Sequence, residues 1–216
     1  MPRGRFITLE GGEGAGKSTQ TALLARALEC AGVAVLATRE PGGSEGAEAI
    51  RQLLLEGEPA RWDARQEALL FAAARRDHVM RRIEPTLAQG RWVVCDRFAD
   101  STVAYQGYGR GLALADIALL HRLAVDDFAP DLTFVLDVPV EIGRARIAAR
   151  NRVADRFERL DAEFHERLRL GFRDIAAAAP HRCVLIDASA APARVHRAVL
   201  DAVVQRLGVA VAPAES

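Results

Sequence analysis

Residues 11–18 read Gly11-Gly12-Glu13-Gly14-Ala15-Gly16-Lys17-Ser18, a match to G-x-x-x-x-G-K-[ST]. The string follows an apolar run, Phe6 to Leu9, and opens an amphipathic segment, so it joins a strand to a helix as the motif requires. Its glycines let consecutive backbone N–H groups turn inward around phosphate oxygens, and the helix start adds the positive end of a dipole. All but one of the 29 basic residues are arginine, and the exception is Lys17. A lysine ammonium is a compact charge that reaches β and γ oxygens, whereas a planar guanidinium would crowd the loop. Ser18 offers a hydroxyl to Mg²⁺, which takes most of its other ligands from phosphate and water. Gly11, Gly12, Glu13, Gly14, Ala15, Gly16, Lys17, Ser18 and the adjoining Thr19 are therefore the candidate contacts to a nucleoside triphosphate, with Lys17 catalytic.

A second group of reactive types follows another apolar run, at Cys95-Asp96-Arg97-Phe98. Asp96 can hold Mg²⁺ or its waters and Arg97 can grip phosphate, although the same two residues would also serve as a surface ion pair or a strand-end cap. Glu10, just before the loop, can act through magnesium waters or hydrogen bonds, or as a buried partner of Arg97. A phosphate loop by itself admits GTPases, ATPase motors and small-molecule kinases. A guanine-reading N-K-x-D string is excluded, because the one lysine is Lys17 and the one asparagine is Asn151.

Something must hold these residues at one place. Five apolar runs, Phe6 to Leu9, Val33 to Ala37, Trp92 to Cys95, Leu132 to Leu136 and Cys183 to Ile186, read as buried strands. Between them lie helical patterns over Lys17 to Ala31, Ala64 to Ala88, Ala115 to Asp127, Val140 to Arg150, Asp161 to Ala179 and Ala191 to Leu207. Strand and helix alternate, which predicts an α/β doubly wound parallel sheet with ligands beyond the carboxyl ends of its strands. Gly32 ends the first helix, Pro41-Gly42-Gly43 breaks the chain after the second strand, and Pro139 suits a first helical turn.

With 216 residues, half of them hydrophobic, the chain fits one domain over 1–209, followed by a tail over 210–216 expected to be disordered. Basic and acidic residues balance at 29 each, so no long-range field recruits a nucleic-acid polymer or a membrane. Cys30, Cys95 and Cys183 are odd in number and lack C-x-x-C spacing, which suits a reducing compartment. No signal-like or membrane-spanning apolar run occurs, so a cytoplasmic location is expected.

Four strings occur in a telling order: Glu10-Gly11-x-Glu13-Gly14-x-Gly16-Lys17-Ser18, Thr38-Arg39-Glu40-Pro41-Gly42-Gly43, Asp96-Arg97-Phe98 and Ser101-Thr102-Val103-Ala104-Tyr105-Gln106-Gly107. The first and third are shared widely among phosphate-loop nucleotide kinases; the other two are much narrower. Together they make the chain resemble the thymidylate kinases. The resemblance implies a three-layer P-loop NTPase fold with a five-stranded parallel sheet, flanking helices and a small lid at about 144–159. It also implies transfer of the γ-phosphoryl group of MgATP to dTMP, in dTTP biosynthesis, by a homodimer whose contact could involve the helix at 64–88.

By the same resemblance, Phe71 stacks on thymine and Arg75, four residues on and so on the same helix face, donates to its O4. Cytosine carries an amino donor there and would oppose that contact. Ser101, Thr102 and Gln106 become polar contacts near the nucleoside, and Tyr105 the ring against deoxyribose that leaves no room for a 2′-hydroxyl. Arg39, Glu40 and Pro41 help position the acceptor phosphate, with Arg97; Glu13 touches the sugar 3′-hydroxyl. The arginines from Arg144 to Arg159 resemble the kinase lid. Because the loop holds Glu13 where some relatives place an arginine, a lid arginine must supply the transition-state cation, with Arg150 and Arg156 as candidates. Arg144 would stack on adenine, near the loop Asp187 to Ala190. A kinase for another acceptor, and a nucleotide-gated switch without turnover, remain the competing readings. On the residues alone, Phe71 and Arg75 would also pass for core and solvated face.

Overall fold

In a computed structural model of the chain, described here for residues 2–149 and 155–211, five parallel strands stand in the order β2-β3-β1-β4-β5. They are β1 (Phe6–Glu10), β2 (Val35–Arg39), β3 (Trp92–Asp96), β4 (Leu132–Asp137) and β5 (Cys183–Asp187). The central strand β1 is buried along its whole length, which is why its sequence is an unbroken apolar run rather than an alternation. Each strand runs at least one residue further than its apolar run suggests. The added residues are Glu10, Arg39, Asp96, Asp137 and Asp187, so the carboxyl edge of the sheet is a row of charged side chains.

Helix α1 (Lys17–Cys30) and the last helix α9 (Pro192–Leu207) cover one face, where Leu24, Leu28, Val199 and Val203 meet Ile7, Leu9 and Phe134. The other face carries α3 (Ala64–His78), α6 (Leu114–Val125) and α8 (Ala162–Ala178), with α2 (Glu45–Leu55) packed outside α3. The expected three layers are present. Short helices α4 (Glu84–Ala88) and α5 (Ala99–Thr102) and helix α7 (Val140–Ala148) complete the set among the described residues.

Two local departures matter for the site. The 64–88 helix is not uniform: a π-helical turn, Val79–Ile83, separates α3 from α4. A longer π-helical stretch, Val103–Gly109, follows α5 and rotates Tyr105 and Gln106 inward, where both are buried. Such turns commonly mark functional positions. Helix α2 was not anticipated from the sequence, although Glu45 and Glu48 in its first turn and the spacing of Ala47, Ile50 and Leu54 mark it. A Cβ at Gly46 would lie 2.9 Å from the Asp77 carboxylate, so the glycine is there for close packing against α3. The three cysteines are free, Cys95 and Cys183 buried and Cys30 exposed.

Candidate active site

The phosphate loop lies backbone to backbone against α7. Gly14 has φ +72°, and a Cβ there would sit 2.2 Å from the carbonyl oxygen of Gly143, so no side chain fits. Lys17 is 6% exposed, and its Nζ donates to the carbonyls of Gly12 at 2.7 Å and Gly11 at 3.1 Å. Burial draws its pKa down to about 8, aided by the Arg97 charge and opposed by Glu13, Asp96 and Glu10. Beside it, Ser18 Oγ is 2.5 Å from Asp96 Oδ2. A hydroxyl and a carboxylate at the mouth of a phosphate loop fit a hard cation whose shell is completed by phosphate and water. Among the described residues no group of three or more His, Cys, Asp or Glu could form an all-protein cage.

Arg97 follows β3 at φ +73°, a left-handed conformation unusual for a residue with a Cβ. Its Nη2 donates to Glu13 Oε1 and to the Tyr105 hydroxyl, both at 2.8 Å, and Tyr105 donates in turn to Glu13 Oε1 at 2.6 Å. Nη1 holds the Gly11 carbonyl and Ser101 Oγ, both at 3.1 Å. Burial alone would raise the Glu13 carboxyl, but the charges of Arg97 and Lys17 outweigh it and hold the pKa at about 2.

Glu10 holds the turn that follows β3. It is fully buried, and its two oxygens accept from the Phe98 N–H at 2.7 Å and from Ser101 Oγ at 2.6 Å. Burial, with the Asp100 charge, pushes its pKa up to about 8. Glu10 thus anchors the 97–101 turn through hydrogen bonds, one of the roles its place before the loop offered, and the carboxylate beside Ser18 is that of Asp96.

Across from the loop, Arg75 comes from α3. Nε donates to Glu40 Oε2 at 2.9 Å, while Nη2 donates to Thr102 Oγ1 at 2.9 Å and the Phe98 carbonyl at 3.2 Å. Among the described residues Nη1 makes no hydrogen bond, and Arg75 lines the cleft. Gln106 Nε2 donates to Glu67 Oε2 at 2.9 Å, and its own Oε1 is buried without a partner. Every acceptor-side residue picked from the sequence, Glu13, Arg39, Pro41, Phe71, Arg75, Arg97, Ser101, Thr102, Tyr105 and Gln106, lines a single solvent-open cleft of about 960 Å³ together with Lys17, Ser18 and Asp96.

The cleft also contains residues the sequence reading missed. Arg51 enters from α2 and donates to the Pro41 carbonyl at 2.6 Å. Phe157 stands 6.1 Å from Phe71 and 5.6 Å, edge-on, from Tyr105. Arg51 was missed because α2 was.

A sequence model of the family described as "Thymidylate kinase" matches residues 9–199. The chain belongs to the thymidylate kinase family. It is 55% identical over 214 residues to the thymidylate kinase of Bradyrhizobium sp. (strain ORS 278), covering 98% of this chain and 95% of that protein. The Caulobacter vibrioides (strain ATCC 19089 / CIP 103742 / CB 15) protein of that name is 54% identical over 209 residues, covering 97% and 100%. A crystal structure of thymidylate kinase from Ehrlichia chaffeensis superposes with a TM-score of 0.75 at 41% identity, covering 94% of this chain and 99% of that one.

In this thymidylate kinase family member the lid candidates divide. Arg150 lies outside the described residues. Arg156 is wholly buried: Nε donates to the Leu54 carbonyl at 2.9 Å, Nη1 to that of Pro59 at 3.1 Å, and Nη1 lies 2.7 Å from Glu67 Oε1. The guanidinium therefore joins α2, the turn after it and a carboxylate on α3, while its Nη2 is buried with no hydrogen-bond partner among the described residues. Arg144 is exposed and lines a separate small cavity behind the loop, with Gly12, Asp137 and His165. Arg146 joins the phosphate loop to the 187–190 loop, donating to the carbonyls of Ala188 at 2.8 Å, Ser189 at 3.1 Å and, at 3.5 Å, Gly14.

Proposed function

We propose that this cleft performs the family's phosphorylation of dTMP to dTDP with the following division of labour. The chain is an enzyme of this class, with ATP as donor. The loop 11–19 cradles the donor phosphates, and Lys17 reaches their β and γ oxygens. Ser18 and Asp96 hold Mg²⁺, which when bound offsets charge on those oxygens. Arg97, with Arg39 and Arg51, brings cations to the acceptor phosphate. Phe71 and Phe157 enclose the thymine ring, Arg75 donates through Nη1 to its O4, and Thr102 and Gln106 serve its polar edge. Tyr105 and Glu13 line the sugar. Arg146 and the 187–190 loop bound the adenine side, and Arg150 is the remaining lid cation.

The observation that carries this reading is the convergence of the acceptor-side residues, drawn from β2, α3, β3 and the 99–109 segment, onto one cleft whose mouth is the phosphate loop. ADP release with MgATP and each nucleoside monophosphate tests it. We expect dTMP first and dUMP weaker; a preference for dCMP or AMP overturns it.

The chain acts as one domain in the cytoplasm, where its three cysteines stay free. Among the described residues no helix is long and apolar enough to cross a membrane. A homodimer is supported by α3 and α6, which pack side by side and leave Leu69, Leu119 and Leu123 exposed, Leu123 by 74%. Light scattering on the eluting protein tests this: a mass of one chain would sink it.

A further inference from the structure

The guanidinium of Arg75 is held by a line of side chains that starts at Thr38 and His78, neither of which lines the cleft. Its Nε donates to Glu40 Oε2 at 2.9 Å. The other Glu40 oxygen is 3.2 Å from His78 Nδ1, and His78 Nε2 is 2.8 Å from Thr38 Oγ1. Arg75, Glu40 and His78 are 3%, 5% and 0% exposed. His78 does not line the cleft. An ionised carboxylate only accepts, so Nδ1 carries a proton toward Glu40, and in the neutral ring Nε2 accepts from the Thr38 hydroxyl.

The Arg-Glu-Pro-Gly-Gly string acquires a physical meaning from this line. Gly43 has φ +85°, and a Cβ there would lie 2.3 Å from His78 Nε2 and 2.5 Å from Thr38 Oγ1. The second glycine of the string is thus the space that lets the imidazole reach Thr38. His78 itself is the last residue of α3, immediately before the π-helical turn.

We propose that His78 is a positioning residue for base selection: with Thr38 and Gly43 it fixes Glu40, and Glu40 fixes Arg75 in the acceptor cleft. Without the imidazole, one Glu40 oxygen loses its buried donor, the carboxylate is free to rotate, and the Arg75 fork loses its fixed aim. A small misplacement of a positioning group is expensive when the ligand contact is directional. The proposal rests on the reading of Arg75 as the donor to thymine.

The test compares full-length His78→Ala, His78→Asn, Thr38→Val, Arg75→Ala and the His78→Ala/Arg75→Ala double variant, with dTMP and dCMP as acceptors and MgATP as donor. We expect His78→Ala to raise the KM for dTMP about tenfold and to narrow the dTMP-to-dCMP ratio of kcat/KM by a similar factor. The KM for ATP should stay within roughly twofold. His78→Asn, which keeps an N–H near the Nδ1 position, should recover most of the ratio, and His78→Ala should add little to Arg75→Ala. A folded His78→Ala with an unchanged ratio overturns the proposal, as does an equal loss in the KM for ATP. If Arg75→Ala also leaves the ratio unchanged, the reading of Arg75 falls with it; if Arg75→Ala collapses the ratio, only His78 is refuted. Should His78→Ala fail to fold, Thr38→Val and His78→Asn decide. Thr38→Val keeps the side-chain shape and is expected to narrow the ratio about threefold, and no narrowing overturns the proposal.

Discussion

Arg156 Nη1 lies 2.7 Å from Glu67 Oε1, with both side chains wholly buried. The second Glu67 oxygen is 3.1 Å from Arg110 Nε and accepts from Gln106 Nε2. One carboxylate on α3 therefore ties the returning end of the lid segment to a residue of the acceptor cleft. Burying an ion pair costs desolvation, yet removing one partner costs more, because the other charge is left uncompensated. Arg156→Ala should lower the unfolding free energy by about 3 kcal/mol in urea melts. A variant of unchanged stability with a collapsed kcat would return Arg156 to the catalytic role.

Arg75→Ala removes a charge-assisted donor that is itself buried in the wall of the cleft. Losing such a contact costs roughly 2 to 4 kcal/mol in the transition state, or about 30- to 1,000-fold in kcat/KM for dTMP. Steady-state kinetics at saturating MgATP measures it. An unaltered kcat/KM would show that the guanidinium serves only to pair Glu40.

Lys17 is the one lysine, so its Nζ gives one signal in an isotope-labelled sample. Its midpoint should fall near 8 in the nucleotide-free protein, where burial disfavours the ammonium. Bound phosphates favour the ammonium and raise the value. Nucleotide binding above that pH then takes up a proton, so affinity for MgATP weakens as pH rises beyond about 8, by up to roughly tenfold per unit. Calorimetry across pH 7 to 10 checks the sign; a pH-independent affinity would refute the placement of Lys17 at the phosphates.

Glu13 sets a limit on the acid side. Its pKa in the folded chain is held at about 2, against an ordinary value of 4.5. A depressed carboxylate stabilises the fold above the unfolded value and loses that contribution as pH falls toward the folded one. Stability should therefore decline between about pH 4.5 and 2, and Glu13→Gln should flatten part of that decline. Denaturant melts at pH 5, 4 and 3 give the comparison, and parallel curves for the two proteins would contradict it.

The sequence by itself determined the phosphate loop and the alternation of strands and helices, while most of the side chains that line the cleft were named through the resemblance its short strings carry. Each depends on a short stretch of chain: eight residues dictate a backbone cradle, apolar runs dictate buried strands, and a strand's end delivers its last residue to the crevice. The helix face shared by Phe71 and Arg75 was legible for the same reason, being a matter of spacing alone. Tertiary structure alone decided which charged groups are free. Arg156 is indistinguishable in sequence from its neighbouring arginines; its burial follows from Glu67, Leu54 and Pro59, which lie far along the chain. Which of its open roles Glu10 takes up was decided by Phe98 and Ser101, which fold back over it and make it the anchor of the 97–101 turn. Arg51 needed α2, whose amphipathic pattern was passed over, and the line from Thr38 to Arg75 needed the meeting of His78 on α3 with Thr38 on β2, which no local pattern announces. Hydrogen-bond partners are exclusive, so a side chain's availability to a ligand depends on what the fold has already placed around it.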